Sequence, residues 1–323
     1  MASDTAGRVA FIANPGGHID ELIRLSPRID IDTAGSLWVT SATEQTTSLL
    51  AGRETVWVRH VGPRNLGRAL TTVGPAAKLL RLSGIRHVIT TGAALALPYV
   101  AAARMLGIRV TYIESAARQA APSLTGKLVS RFPGVELYCQ ADDPIGPRWI
   151  PTGSVFDGYM PDEDVPTPVR RVVVSVGGER FSFRRAVDRL KEIIPPDVDV
   201  FWQTGATPVE DNEIPYEAWV EPSRLARIVD DADVAVIHAG VGSALTALDS
   251  GHAPVLLVRQ HRHGEHVDDH QGEIAAELVR RGLAVGCDLP LLTWRDVERA
   301  AARRIRRVSE VPPLRLRPTA ARP

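Results

Sequence analysis

Two glycine-bearing turns and one histidine-rich loop hold most of the residues in this chain that are equipped for chemistry. Near the start, Asn14-Pro15-Gly16-Gly17 leads into His18 at the opening of a predicted helix. The positive end of a helix dipole disfavours imidazolium, so a histidine there stays neutral, the form that accepts a proton. His18 is therefore a candidate general base for a hydroxyl. The ordinary alternative is a histidine that fastens its own loop. Glu114, at the end of a predicted strand, is the rival base or an orienting group, and an ion pair with Arg118 four residues on is its bland reading. Far along the chain, Val234 to Ile237 runs into His238-Ala239-Gly240-Val241-Gly242-Ser243 and then a helical pattern to Ser250. Gly240 and Gly242 let the backbone approach a ligand, and the helix start offers unpaired N–H groups, which together make a cradle for a diphosphate. A later loop carries Arg259, His261, Arg262, His263, Glu265 and His266, and Asp268-Asp269-His270-Gln271 opens the next helix with groups suited to sugar or ribose hydroxyls. The four histidines and their acids invite a metal. Val267 removes any HExxH pattern, however, and the spacing matches no standard zinc site, so no metal is expected.

The elements that must position these groups alternate. Apolar runs at Arg8–Ala13, Leu37–Thr40, Thr55–Val58, His87–Thr90, Val110–Ile113 and Val135–Cys139 are separated by helical patterns. That alternation implies a parallel sheet covered by helices. The stretch from Asp142 to Pro168 is rich in proline and acids with little periodicity. A second alternating series begins at Arg171 (RVVVSVGG) and ends in a helical pattern from Trp294 to Val308. The expected organisation is an α/β chain with a first domain at 1–141, a linker at 142–170, a second domain at 171–311 and a disordered tail at 312–323.

Composition sets outer bounds. With 323 residues and 44% hydrophobic content the chain is long enough for two cores. Its 38 basic and 38 acidic residues cancel, so nothing global points to nucleic acid. Two separated cysteines, Cys139 and Cys287, fit a reduced cytoplasm. No signal peptide or membrane span is legible; the apolar run from Ala93 to Ala103 is too short to cross a bilayer. One block is strongly one-sided. From Thr55 to Ile113 there is no acid, but there are Arg59, Arg64, Arg68, Lys78, Arg81, Arg86, Arg104 and Arg109. It reads either as a surface for an anionic membrane or lipid diphosphate, or as a basic face whose acids come from elsewhere in the fold. Gly74-Pro75 should break or kink the helix predicted within it.

The order Gly turn, helix, Gly251-His252-Ala253-Pro254, strand, basic loop and GEHVDDHQ (264–271) resembles the nucleotide-sugar half of MurG-like GT-B glycosyltransferases. It is most similar to the catalytic subunit of two-component bacterial exopolysaccharide transferases and of the dolichol-pathway N-acetylglucosaminyltransferase. The first half, through TTGA (90–93), Leu97 to Arg118 and SLTGKL (123–128), resembles the acceptor and membrane-recruiting partner subunit of the same enzymes. The glycine–glycine–histidine turn is shared with MurG. The resemblance covers about residues 8 to 285 and implies a fusion of the two halves, with the GT-B fold: two Rossmann-like domains whose parallel sheets face across a cleft.

The resemblance further implies an inverting, metal-independent transferase of a hexose-type sugar, with a UDP-sugar as co-substrate and no cofactor. The acceptor would be a lipid-diphosphate-linked sugar in polysaccharide biosynthesis, at the inner face of the membrane. A transferase for a soluble natural product, a UDP-sugar 2-epimerase and a non-catalytic nucleotide-sugar-binding protein are the alternatives. Implied acceptor contacts are Gly16, Gly17, Thr91, Gly92, Arg118, Ser123 and Thr125. Implied donor contacts are Gly177, Gly178 and Arg180 of a first phosphate loop, and Val220 beside the uracil. His238, Gly240, Gly242, Ser243, Glu265, His266, Asp269, His270 and Gln271 complete them. Where MurG has a ribose-gripping glutamate this chain has Thr246, with Asp249 or Asp269 as substitutes. Glu179 replaces a serine of the first phosphate loop. Asp231-Ala232-Asp233 looks like the DxD of metal-dependent GT-A transferases, but it precedes a strand in the wrong domain and is an ordinary turn.

Overall fold

A computed structural model describes residues 8–60, 66–178, 181–210, 214–286 and 288–316, without the side chains of 66–70. The chain divides into two compact units, Met1–Val155 with Val311–Pro323, and Phe156–Glu310.

The first unit is built on strands β1 (Arg8–Ala13), β2 (Leu37–Thr40), β3 (Thr55–Trp57), β4 (Ile85–Gly92), β5 (Arg109–Ile113), β6 (Val135–Cys139) and β7 (Ile150–Pro151). All pair in parallel, in the order β3-β2-β1-β4-β5-β6-β7. Helices α1 (Gly17–Leu25), α2 (Glu44–Leu49), α3 (Leu66–Leu82), α4 (Ala96–Met105) and α5 (Leu124–Val129) connect them. β1 and β4 are buried along nearly their whole length, as strands central to a sheet covered on both faces must be. Ala10, Ile12, Val88, Val110, Leu80 and Tyr99 lie in one core that joins sheet and helices.

The second unit repeats the plan. Strands β8 (Tyr159–Pro161), β9 (Arg171–Ser175), β10 (Asp199–Gln203), β11 (Tyr216–Glu217), β12 (Val234–His238), β13 (Val255–Leu257), β14 (Val285–Gly286) and β15 (Ile305–Arg307) alternate with helices. These are α6 (Arg184–Ile193), α7 (Pro222–Asp230), α8 (Val241–Asp249), α9 (His270–Arg280) and α10 (Trp294–Ala302). The main sheet is parallel in the order β11-β10-β9-β12-β13-β14, and β8 pairs antiparallel with β15. In both sheets the order reverses beside the first strand, between β1 and β4 and between β9 and β12. Open parallel sheets bind ligands at such points, outside the carboxyl ends of the strands.

Three expectations change. The stretch 142–170 is not a free linker. Ile145 and Trp149 join the first core, with Trp149 edge-on to Tyr112 at 5.8 Å between ring centroids, and the second unit begins at Phe156. The few apolar residues among the prolines find enough surface to bury. Nor does the tail hang free as far as it is described: Leu314 is buried and its N–H donates to the Arg28 carbonyl, while the Arg315 N–H donates to the carbonyl of Thr152. Finally, α3 runs on as one helix through Pro75, because Ala76 and Leu80, one turn apart just after the proline, are wholly buried. Part of the basic block also finds its acid. Arg109 makes a two-pronged ion pair with Glu136 of β6 at 2.9 and 3.0 Å, whereas Lys78, Arg81 and Arg86 stay exposed.

A carboxylate fastens the floor of the first unit. Glu21 of α1, 1% exposed, accepts from Ser115 Oγ at 2.6 Å, the Ala116 N–H at 2.9 Å and Gln140 Nε2 at 2.6 Å. Burial dominates these three bonds and pushes its pKa up to about 7. Between the ordinary carboxylate value and 7 the folded chain thus holds a proton that the unfolded chain has released. Stability from this group must therefore fall as pH rises through that window, by on the order of 3 kcal/mol. Urea midpoints at pH 5 and pH 8 check it. Glu21→Gln should lose less stability than the parent between the two, and an equal loss in both proteins would exclude Glu21 as the cause.

Candidate functional site

In the first unit, β1 and β4 deliver their loops to the same side of the strand reversal. Gly16 stands before α1 with φ of +90°, a conformation side chains disfavour, and its N–H donates to Gln45 Oε1 at 2.9 Å. Gly17 and then His18 open the helix, half-buried. His18 and Thr91 are bonded twice: Nδ1 donates to the Thr91 carbonyl at 2.9 Å, and the Thr91 hydroxyl donates to the His18 carbonyl at 2.7 Å. A carbonyl only accepts, so the proton of a neutral ring sits on Nδ1 and the lone pair on Nε2. That is the tautomer a base needs. Gly92, with φ of +100°, stands where a Cβ would sit 2.8 Å from the Tyr112 hydroxyl and 3.6 Å from the His18 ring. Thr91, one of the expected acceptor contacts, is wholly buried and orients His18, and Gly92 follows it at the end of β4.

Glu114 takes a different place from the one expected. It is wholly buried and accepts from the Ser123 N–H at 3.0 Å, the Ser123 hydroxyl at 3.1 Å and the Ser115 N–H at 3.3 Å. The Ser123 hydroxyl also caps α5. A Cβ on Gly126 would lie 2.1 Å from the carboxylate, so the glycine makes room for it. Burial raises its pKa, against the bonds from Ser123 and Ser115 and the nearby charge of Arg118. In this arrangement Glu114 anchors the loop that precedes α5 and meets no solvent. Arg118 and Thr125 are half-buried on that loop and on α5.

In the second unit both glycine turns converge on one side chain. His238, at the end of β12, is flanked by bare backbone. A Cβ on Gly177 would come within 2.7 Å of its ring, and one on Gly240 within 2.6 Å. Gly177 also has φ of +86°. The two glycines thus exist in part to admit an imidazole, a reason no motif discloses. The Ser243 hydroxyl lies 3.3 Å from His238 Nδ1. Burial first, then the Arg259 charge, pushes the His238 pKa down to about 4, against a bond to the Ser175 carbonyl. The ring is neutral at pH 7. Gly242 and Ser243 lie in the first turn of α8, and Gly178 beside the exposed Trp219. Val220 is buried. Arg180 lies outside the described residues.

The histidine-rich loop is held mostly by its own polar groups. Glu265, expected at the donor, is buried and grips Arg185 with both oxygens at 2.8 and 2.9 Å while accepting from the Gln260 N–H. Asp269 accepts from the His261 N–H at 2.7 Å, and Gln271 Oε1 accepts from the Arg259 N–H at 3.1 Å. Asp249 sits at the far end of α8 from the glycine turn, bonded to the Tyr159 hydroxyl and, at 2.7 Å, to Arg307. Thr246 returns its hydroxyl to the Gly242 carbonyl at 3.0 Å. Although no metal is expected, His266, Asp268 and His270 bring one ligand atom each within 4.8 Å of one another. His270 Nδ1 bonds directly to the Asp268 carboxylate, and the two imidazoles meet edge to face at 4.7 Å.

Arg259, one of the charged residues of the histidine-rich loop, plays a part that its position in the sequence does not disclose. It is fully buried, and its guanidinium donates to the carbonyls of Val176 at 2.7 Å, Phe181 at 2.8 Å and Glu265 at 3.0 Å, with its carbon 4.8 Å above the Phe183 ring. An arginine in a loop reads as a ligand contact; only the fold reveals that it faces inward.

No protein-family model matches the chain. Among curated proteins it is similar to the UDP-N-acetylglucosamine–N-acetylmuramyl-(pentapeptide) pyrophosphoryl-undecaprenol N-acetylglucosamine transferase of Prochlorococcus marinus. The two are 29% identical over 230 residues, which is 67% of this chain and 62%, under two thirds, of that relative. The enzyme of the same name from Synechococcus elongatus is 27% identical over 308 residues, 86% of this chain and 82% of the relative. Among solved structures, Acinetobacter baumannii MurG superposes with a TM-score of 0.56 at 20% identity, covering 90% of this chain and 88% of MurG. The chain is MurG-like in sequence and GT-B in fold.

Proposed function

We propose that the chain is a UDP-sugar-dependent glycosyltransferase that moves N-acetylglucosamine, as its relatives' names state for them, to a hydroxyl of a lipid-diphosphate-linked sugar. The observation that carries this reading is the strand reversal in each unit, with His18 beside one and the Gly177–His238–Gly240 cluster beside the other. The second unit binds the donor: N–H groups at the start of α8 and the Ser243 hydroxyl take the diphosphate, and the backbone at Val220 takes the uracil. The first unit binds the acceptor.

The reaction is a single displacement with inversion. The acceptor oxygen attacks the anomeric carbon, His18 Nε2 takes the hydroxyl proton, and the bond to the diphosphate breaks with its electron pair leaving on UDP. The developing charge is met by N–H dipoles, which is the support for a transfer without a metal ion. Retention of turnover in a chelator checks this.

The acceptor's lipid brings the first unit to a membrane surface. Leu82 and Met105, 74% and 76% exposed, end the two adjacent helices α3 and α4, and exposed Lys78, Arg81 and Arg86 lie near the first of these in sequence. No described helix is long and apolar enough to cross a membrane. Basic residues near an anionic bilayer contribute about 1 kcal/mol each. Flotation with anionic vesicles should carry the protein, and Leu82→Glu with Met105→Glu should leave it in the bottom fraction. Equal flotation of both proteins would move the contact elsewhere.

The roles of the two units separate in one variant. His18→Ala should lower turnover by about 10² to 10⁴. UDP at about a hundred times its dissociation constant should still stabilise it by about 2.7 kcal/mol, like the parent. Near-normal turnover would remove His18 as the base.

A further inference from the structure

We propose that Arg259 is the positioning residue of the donor site: it does not touch the nucleotide, but ties the β9–α6 connection, whose Gly177 meets the diphosphate, to the histidine-rich loop of the same site. The proposal rests on the reading of the second unit as a nucleotide-diphosphate site. A residue with no exposed surface has no face to offer a ligand, so Arg259 acts through what it binds. Its guanidinium ties down both ends of the connection between β9 and α6, through Val176 just before Gly177 and through Phe181. The same planar group reaches the Glu265 carbonyl in the loop before α9, and its main-chain N–H reaches Gln271 in the first turn of that helix. Nη1 alone bridges the two loops, at 2.8 Å to one and 3.0 Å to the other. Phe183 closes the stack beneath.

This fork presses the Gly177 backbone against His238 and fixes the start of the histidine-rich loop, so the surface a diphosphate meets is formed before it arrives. Preorganised loops spare a ligand the cost of ordering them. A flat fork with five donors can satisfy three carbonyls lying in different directions, and a lysine ammonium on a flexible stem does not reproduce that geometry. The buried cation also raises the local positive potential beneath the anion. A nucleoside without phosphates draws on neither effect.

The test compares parent, Arg259→Met and Arg259→Lys for UDP and uridine affinity by calorimetry, alongside amide hydrogen exchange of the unliganded proteins. Arg259→Met should bind UDP at least about tenfold more weakly while uridine affinity changes by less than about threefold. Arg259→Lys keeps the charge and should still lose most of that preference. In both, amides near Val176–Gly177 and Glu265–His266 should exchange faster while those of β12 and β13 keep parental rates. A folded variant with the parental UDP-to-uridine ratio would overturn the proposal, as would parental exchange at both loops. If Arg259→Met does not fold, Arg259→Lys, whose stem fills the same slot, decides. Should the parent itself fail to prefer UDP over uridine, the donor reading falls, and loop exchange in unliganded Arg259→Lys still judges the positioning claim.

Discussion

A guanidinium with no exposed surface must find acceptors in the fold, and around Arg259 those acceptors are backbone carbonyls of two separate loops. An unsatisfied buried charge costs several kcal/mol, so the loops cannot leave without stranding it. The constraint runs both ways, because the carbonyls of irregular loops also need donors. Through it Val176 is held next to Gly177, and Glu265 and Gln271, before and in the first turn of α9, are tied to the same residue. The first unit uses carboxylates to the same end. Glu21 and Glu114, both buried, gather the N–H groups and hydroxyls of residues 115–123 and so fix the loop that precedes α5.

The two units share a logic that their side chains do not. Each parallel sheet reverses its strand order beside its first strand, and each puts a histidine there. The two rings differ in what surrounds them. His18, at a helix start, is bonded through Nδ1 to a carbonyl, which leaves Nε2 as the basic nitrogen. His238 is packed between bare glycines above a buried cation, which pushes its pKa to about 4 and suits it to shaping a pocket rather than moving protons near neutral pH.

Much of this was legible in the sequence. Apolar runs of four to six residues alternating with helical periods predict two parallel sheets, and strands such as Arg8–Ala13 and Val110–Ile113 form as read. The glycine turns are legible because a turn at a strand end favours glycine, and Gly16 and Gly177 do take positive φ there. What stayed hidden was direction. Nothing in the spacing says that Glu114, Glu265 and Arg259 turn inward to hold loops, since a charged residue in a polar loop looks the same whichever way it points. Nor does it say that Thr91 turns inward to bond His18. The proline-rich stretch misled because Trp149, a single large ring, outweighs its polar neighbours once a core is within reach.

A nucleotide diphosphate should lie where the two glycine turns of the second unit meet. A structure of the chain crystallised with UDP tests this most directly. The diphosphate should contact the N–H groups from Gly240 to Ser243 and the backbone of Gly177, with the uracil beside Val220 and the Arg259 guanidinium buried beneath, still bonded to Val176 and Glu265. UDP seated instead at Gly16–His18, or bound in the second unit only after Arg259 has let go of those carbonyls, would contradict it.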